Sequence, residues 1–148
     1  SDWSADRSRR YCLSRFWSSG PLATVIGLNP STADDKYDDP TCRRLMALLR
    51  YAGFGGFFLV NLLPDAASDP RRVRWSNRRF SARNRSAIEI AIGQSDAGIV
   101  AWGAWGVRLP FRAQVLELVQ HPLCFGLTKS GEPKHPLYLA AKTELQAY

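Results

Sequence analysis

The stretch Leu22-Ala23-Thr24-Val25-Ile26-Gly27-Leu28-Asn29-Pro30-Ser31 decides the fold. Residues 22–28 are almost continuously apolar or β-branched, the pattern of a central parallel strand covered on both faces. The run stops at Asn29-Pro30-Ser31, where the chain must turn. Downstream, Asp39 is placed to cap a helix that Pro40 opens, and Leu45, Leu48, Leu49 and Ala52 follow at helical spacing before a terminating Gly53. Residues 57–62 form the next buried run, ending near Asn61. A second helix is expected over residues 81–94, burying Ala87, Ile88, Ala91 and Ile92. Residues 97–102 read as a third strand closed by Gly103, and Pro110 opens a helix with Val115, Leu116 and Val119 inward. Residues 123–127 read as a fourth strand.

Alternation of strand and helix calls for a parallel sheet with helices on both faces. The expected fold is α/β: a three-layer α/β/α sandwich around a central, mostly parallel four-stranded sheet. Residues 11–17 are expected as an edge strand. Residues 131–136 read as a turn-rich loop and residues 137–148 as a short helix. At 148 residues the chain suits one domain, over residues 11–148 after a polar leader of residues 1–10.

Apolar residues make up 45% and charged residues 22%, an ordinary globular balance. The leader is polar, and no window reaches the length of a membrane span, so a cytoplasmic protein is expected. Cys12, Cys42 and Cys124 are too far apart in sequence for a paired zinc or iron–sulfur spacing and read as buried thiols. The chain lacks a phosphate-binding glycine loop, a dinucleotide fingerprint and a His-x-x-x-His pair, and Ser31 lacks the nucleophile-elbow pattern.

The net charge of +7 comes from 20 basic and 13 acidic side chains, mostly arginine on the basic side. Arg71, Arg72, Arg74, Arg78, Arg79, Arg83 and Arg85 crowd one stretch around Trp75 and Phe80, with no acidic residue between Arg71 and Arg85. Arginine holds phosphate bidentately, so this stretch reads either as a phosphate-contacting surface or as a solvated face.

Open parallel sheets bind ligands beyond the carboxyl ends of their strands, which points to three polar positions. Asn29 follows the central strand; its amide can hold a water, or simply form a turn with its own backbone. Asn61 ends a buried strand and can pair with the edge of a base, or be satisfied internally. His135, between Lys134 and Pro136, can support negative charge on a leaving group, whereas His121 before Pro122 reads as structural. In the acidic loop, Asp39 is accounted for by capping. Asp34 could approach the cleft to orient water or a magnesium ion, although Asp34, Asp35 and Asp38 also fit a solvated loop.

The segments Asn29-Pro30-Ser31-Thr32-Ala33-Asp34, Asp39-Pro40-Thr41, Asn61-Leu62, Ala101-Trp102-Gly103 and His135-Pro136-Leu137-Tyr138-Leu139 resemble a bacterial and phage family classed as a domain of unknown function (DUF1643-like). The chain is also similar to the uracil-DNA glycosylase superfamily. Gly27-Leu28-Asn29-Pro30 resembles that superfamily's first motif, which implies that Asn29 positions the attacking water. The resemblance further implies that Asn61 recognises the pyrimidine edge and that His135 stabilises the departing base. Ser31, Tyr37 and Tyr138 are then expected around the base, with Tyr37 a candidate stacking aromatic. Ser31 stands where many relatives carry glycine, and Leu137 where they often carry serine.

The expectation that follows is a DNA glycosylase acting on a damaged or modified pyrimidine, with no metal or organic cofactor. Arg71, Arg72, Arg74, Arg78, Arg79 and Lys134 would hold the phosphates of single-stranded or duplex DNA. The alternatives are a base-sensing or nucleic-acid-binding module without turnover, and a hydrolase of free nucleosides or nucleotides.

Overall fold

A computed structural model describes residues 1–73 and 79–148. Its seven strands, β1 (Asp2–Trp3), β2 (Arg10–Phe16), β3 (Leu22–Gly27), β4 (Gly56–Asn61), β5 (Ala97–Val100), β6 (Leu123–Cys124) and β7 (Gln146–Ala147), form one mixed sheet in the order β1-β2-β4-β3-β5-β6-β7. The middle of the sheet, β4-β3-β5-β6, is parallel; β2 joins β4, and β7 joins β6, antiparallel.

Strict alternation along the central strands divides the interior into two cores. Ala23, Val25, Phe57, Leu59, Ile99 and Ala101 face one side, where helix α1 (Pro40–Tyr51) contributes Cys42, Leu45, Leu48 and Leu49. Ile26, Val60, Val100 and Trp102 face the other, where α2 (Ala82–Gly93) contributes Ile88 and Ala91 and α3 (Arg112–Leu116) contributes Val115. Helices therefore cover both faces of the sheet, as the unbroken apolar run of β3 requires.

Capping follows the side-chain chemistry. Asp39 accepts from the Cys42 amide at 2.8 Å and Pro40 occupies the first turn, while Ser81 caps α2 through the Asn84 amide. Gly53 lies just beyond α1 at a φ of 87°, but Ala52 is exposed, and Cys42 completes the buried stripe in its place.

Several boundaries differ from expectation. The sheet has seven strands rather than four. The segment at residues 11–17 is not an edge, because β2 carries β1 on its outer side. That places a strand inside the polar leader, whose last residue, Arg10, begins β2. The third helix is only five residues long, preceded by a 3-10 turn at Ala104–Arg108; at its end the Leu118 and Val119 amides bond three residues back, tightening the chain out of α geometry. Residues 137–148 do not form a helix. Pro136–Tyr138 is a 3-10 turn, and Leu139 and Leu145 both pack on the α1-side core although six-residue spacing puts them on different helix faces. Gln146–Ala147 instead extends the sheet. Among the described residues no helix is long and apolar enough to cross a membrane.

Candidate functional site

The chain runs from β3 to its neighbour β4 on one side, then returns across to β5 on the other. Strand order therefore reverses at β3, the position where open parallel sheets leave a crevice at their carboxyl edge. A cleft of about 570 Å³ lies there. Its walls come from the ends of β3, β4 and β5, the start of α1, the 67–68 segment and the turn at Pro136–Tyr138, which packs against α1. Asn29, Ser31, Asn61, His135 and Tyr138, distant in sequence, all line it.

Asn61 continues the row Phe57, Leu59 on the α1 side of β4, one step past the point where apolar partners run out. It is 3% exposed, yet no described group hydrogen-bonds to its side-chain amide, and Nδ2 is sealed from solvent. Leaving such a donor unmet costs about 1–3 kcal/mol. Two neighbours hold it there. Gly27 lies opposite in the parallel register, and a Cβ at that position would sit 2.7 Å from Asn61 Oδ1. From α2, the buried Asn84 donates through Nδ2 to the carbonyls of Asn61 at 2.9 Å and Leu62 at 3.1 Å, fixing the end of β4.

Asn29 is held differently. Its Nδ2 donates to the carbonyls of Pro30 (3.0 Å), Asp65 (3.4 Å) and Ala67 (2.9 Å), tying the end of β3 to the loop that closes the cleft. The donor half of the amide is thus committed to architecture, and Oδ1 is the polar atom it retains for a ligand or water. Only the accepting half of the expected accept-and-donate role survives.

His135 caps the 136–138 turn: Nδ1 accepts from the Leu137 amide at 3.2 Å, which leaves Nε2 to carry the proton of a neutral ring. Desolvation by the surrounding protein lowers its pKa from the ordinary value, with the Asp39 charge opposing, so the neutral donor is favoured. Gly103, at a φ of 73°, allows the approach; a Cβ there would lie 3.1 Å from the His135 Cβ. The segment leading to His135 is anchored by buried Glu132, which accepts from Trp102 Nε1 at 2.7 Å and pairs with Arg112 at 3.1 Å.

The structure does not bring every expected residue to the cleft. Tyr37 is 70% exposed and does not line it; its amide and carbonyl are engaged in the turn with Asp34. Tyr138 does line it, at the mouth, with 93% exposure. Trp105, a half-buried wall of the cleft with Arg108 over its ring at 4.5 Å, is the aromatic that sequence reading missed. Lys134 is exposed and outside the lining.

Arg74 and Arg78 lie outside the described residues. Arg71, Arg72 and Arg79 are exposed away from the cleft walls, and much of the basic run is paired: Arg71 with Asp69 (2.8 Å), Arg83 with Asp2 (3.2 Å) and Arg85 with Glu89 (2.9 Å). Asp34 is likewise turned to local work. It accepts from the Lys36 and Tyr37 amides and does not line the cleft, while Asp38 pairs with Arg15 at 2.8 Å.

Two charged residues missed as site components do line it. Asp39, beyond capping α1, accepts from the Ala33 amide at 3.3 Å. Arg10 is 1% exposed; its Nη1 donates to the Ala33 carbonyl at 2.6 Å, and its Nε is buried without a partner. Burial pulls its pKa down, opposed chiefly by the Asp39 charge.

A family model described as "Protein of unknown function (DUF1643)" matches residues 10–137, a span that holds every cleft residue named above except Tyr138. No curated protein and no solved structure matches the chain.

Proposed function

The chain belongs to the DUF1643 family, and from the cleft its residues build we propose a DNA glycosylase that hydrolyses the N-glycosidic bond of a damaged or modified pyrimidine. The observation that carries this reading is Asn61: a planar amide, almost wholly buried at the carboxyl edge of the sheet and lining the cleft, whose Nδ2 has no acceptor among the described residues. Such a group matches the paired acceptor and donor on the edge of a base. The proposal includes kinship with the uracil-DNA glycosylase superfamily, supported by the chain order of Asn29, Asn61 and His135 and by their common cleft.

In the proposed reaction a base leaves the stack and enters the cleft, with Asn61 on its edge and Trp105 or Tyr138 against its face. The bond from the sugar C1′ to the ring nitrogen breaks, and its electron pair departs with the base. Neutral His135 donates from Nε2 to the oxygen on which that charge gathers. A water accepted by Asn29 Oδ1 bonds to C1′, and its surplus proton ends on the base. An amide cannot take the proton, so Asn29 only orients the water.

Hydrolysis of free nucleosides or nucleotides is a second reading, favoured by one observation: pairing of Arg71, Arg83 and Arg85 with carboxylates weakens the basic run as a polyanion surface. Release of free base from single-stranded and duplex oligonucleotides carrying uracil, hydroxymethyluracil or other modified pyrimidines tests the proposal. The expected result is release by the wild type, lost in both Asn29→Ala and His135→Ala. Tight, salt-sensitive binding without release would replace it with a base-sensing module, and release from free nucleotides alone would replace it with the second reading.

A further inference from the structure

Arg10 is a buried cation without a buried anion bonded to it. Among the described residues no carboxylate lies within salt-bridge distance of its guanidinium, although Asp39 is close enough to be felt. One nitrogen is spent on the Ala33 carbonyl, and Nε has no acceptor. The position is built rather than incidental: the Arg10 amide donates to the Pro64 carbonyl at 2.8 Å, and the guanidinium stands 5.8 Å from the Trp3 ring. Burying a guanidinium costs several kcal/mol unless a counter-charge and hydrogen bonds meet it. An arginine that served only to anchor the Ala33 loop would need neither a cleft-lining position nor an idle Nε.

We infer that Arg10 forms an anion-recognising subsite within the cleft, so that the natural ligand carries a phosphate or carboxylate together with the ring read by Asn61. This rests on the base-pocket reading only for the identity of the ring. The two sources of the anion are a nucleotide phosphate drawn into the cleft and a carboxylate carried by the modified base. Arginine suits either, because its fork meets two oxygens of one planar or tetrahedral anion. The subsite also gives the cleft its own cation, independent of the paired arginines outside.

The test is calorimetric binding, at fixed ionic strength, of 2′-deoxyuridine, its 5′-monophosphate and 5-carboxy-2′-deoxyuridine to the wild type, Arg10→Gln and Arg10→Lys. In the wild type at least one anionic ligand is expected to bind about tenfold or more tightly than the neutral nucleoside, the increment of one charged hydrogen bond. The preferred anion identifies the source. Arg10→Gln should erase the increment, so that the anionic and neutral ligands bind it alike; Arg10→Lys should keep part of it. Equal binding of all three ligands to the wild type, or no binding of either anion, overturns the subsite, and neither outcome depends on a variant that folds. An increment that survives in folded Arg10→Gln overturns it as well. Failure of the neutral nucleoside alone, with the anion preference intact, counts against Asn61 as a base reader and leaves Arg10 standing.

Discussion

At the carboxyl edge of β3, β4 and β5, Asn29, Asn61 and His135, 32 and 74 residues apart in sequence, converge on one cleft; Arg71, Arg72, Arg79, Arg83 and Arg85, close in sequence, face solvent or separate carboxylates. The cleft residues are fixed by strand register, a helix cap and a 3-10 turn, each over-determined by backbone bonds. Arg71, Arg83 and Arg85 are held by ion pairs that salt screens, typically worth under about 1 kcal/mol. Clustering in sequence therefore reports composition, whereas position at a strand end reports chemistry. The proposed function stands on the cleft and needs only affinity from the arginine stretch.

The most severe test of that division is Asn61→Ala. Because it removes an unsatisfied buried donor, its stability should stay within about 1 kcal/mol of wild type while base release falls about 10²- to 10³-fold. Gly27→Ala should reproduce the loss with Asn61 itself intact, since the new Cβ would displace Asn61 Oδ1 from 2.7 Å. If thermal melts show both variants grossly unfolded, Asn61 belongs to the scaffold and the contrast with the arginine region collapses.

Asn29 sharpens the comparison from inside the cleft. Asn29→Asp places a carboxylate against the carbonyls of Pro30, Asp65 and Ala67, so it should lower stability by about 1–3 kcal/mol in denaturant unfolding. Asn29→Ala should lower turnover more than binding; equal loss of both would remove its water-orienting role.

His135 supplies a pH signature. Its pKa is lowered in the folded protein, so its contribution to stability is complete above the unfolded value of about 6.5 and is lost as pH falls from there through the folded pKa. Base release should follow the neutral ring: level at neutral pH, declining on acidification at a midpoint below 6.5, with the decline absent in His135→Gln. Release that instead falls as pH rises would mean that the charged ring is the working form.

The smallest effect belongs to the exposed arginines. Arg72→Ala and Arg79→Ala should leave release at saturating DNA unchanged and lower the slope of log affinity against log salt by about 0.9 for each duplex phosphate contact removed. No change in slope would leave these residues outside the DNA path altogether.

How much of this was legible depends on range. The apolar run at residues 22–28, the Asp39-Pro40 cap and the spacing of Leu45, Leu48 and Leu49 are local signals, and they placed β3 and α1 correctly. Strand-end position pointed to Asn29 and Asn61, which line the cleft, whereas His135 reaches it from the head of a 3-10 turn. The two-residue strands β1 and β7 left no pattern because pairing with β2 and β6, not propensity, creates them. Arg10 was hidden for a related reason: among polar neighbours it resembles a solvated leader, and only β2 pairing buries it. Trp105 gave no signal, since its 3-10 turn has no periodicity to mark a cleft wall. Asn84 fell on an expected helix, but its bonds to the end of β4 are tertiary.

The central claim is that the Asn61 amide, not the arginine surface, recognises the ligand, and the most direct measurement is the nitrogen–proton NMR spectrum of the side-chain amides and arginine Nε groups during titration with a modified-pyrimidine nucleoside. The account predicts a selective shift of the Asn61 Nδ2 resonances, with Arg71, Arg72 and Arg79 unmoved. A titration that shifts those arginines and leaves Asn61 in place would contradict it.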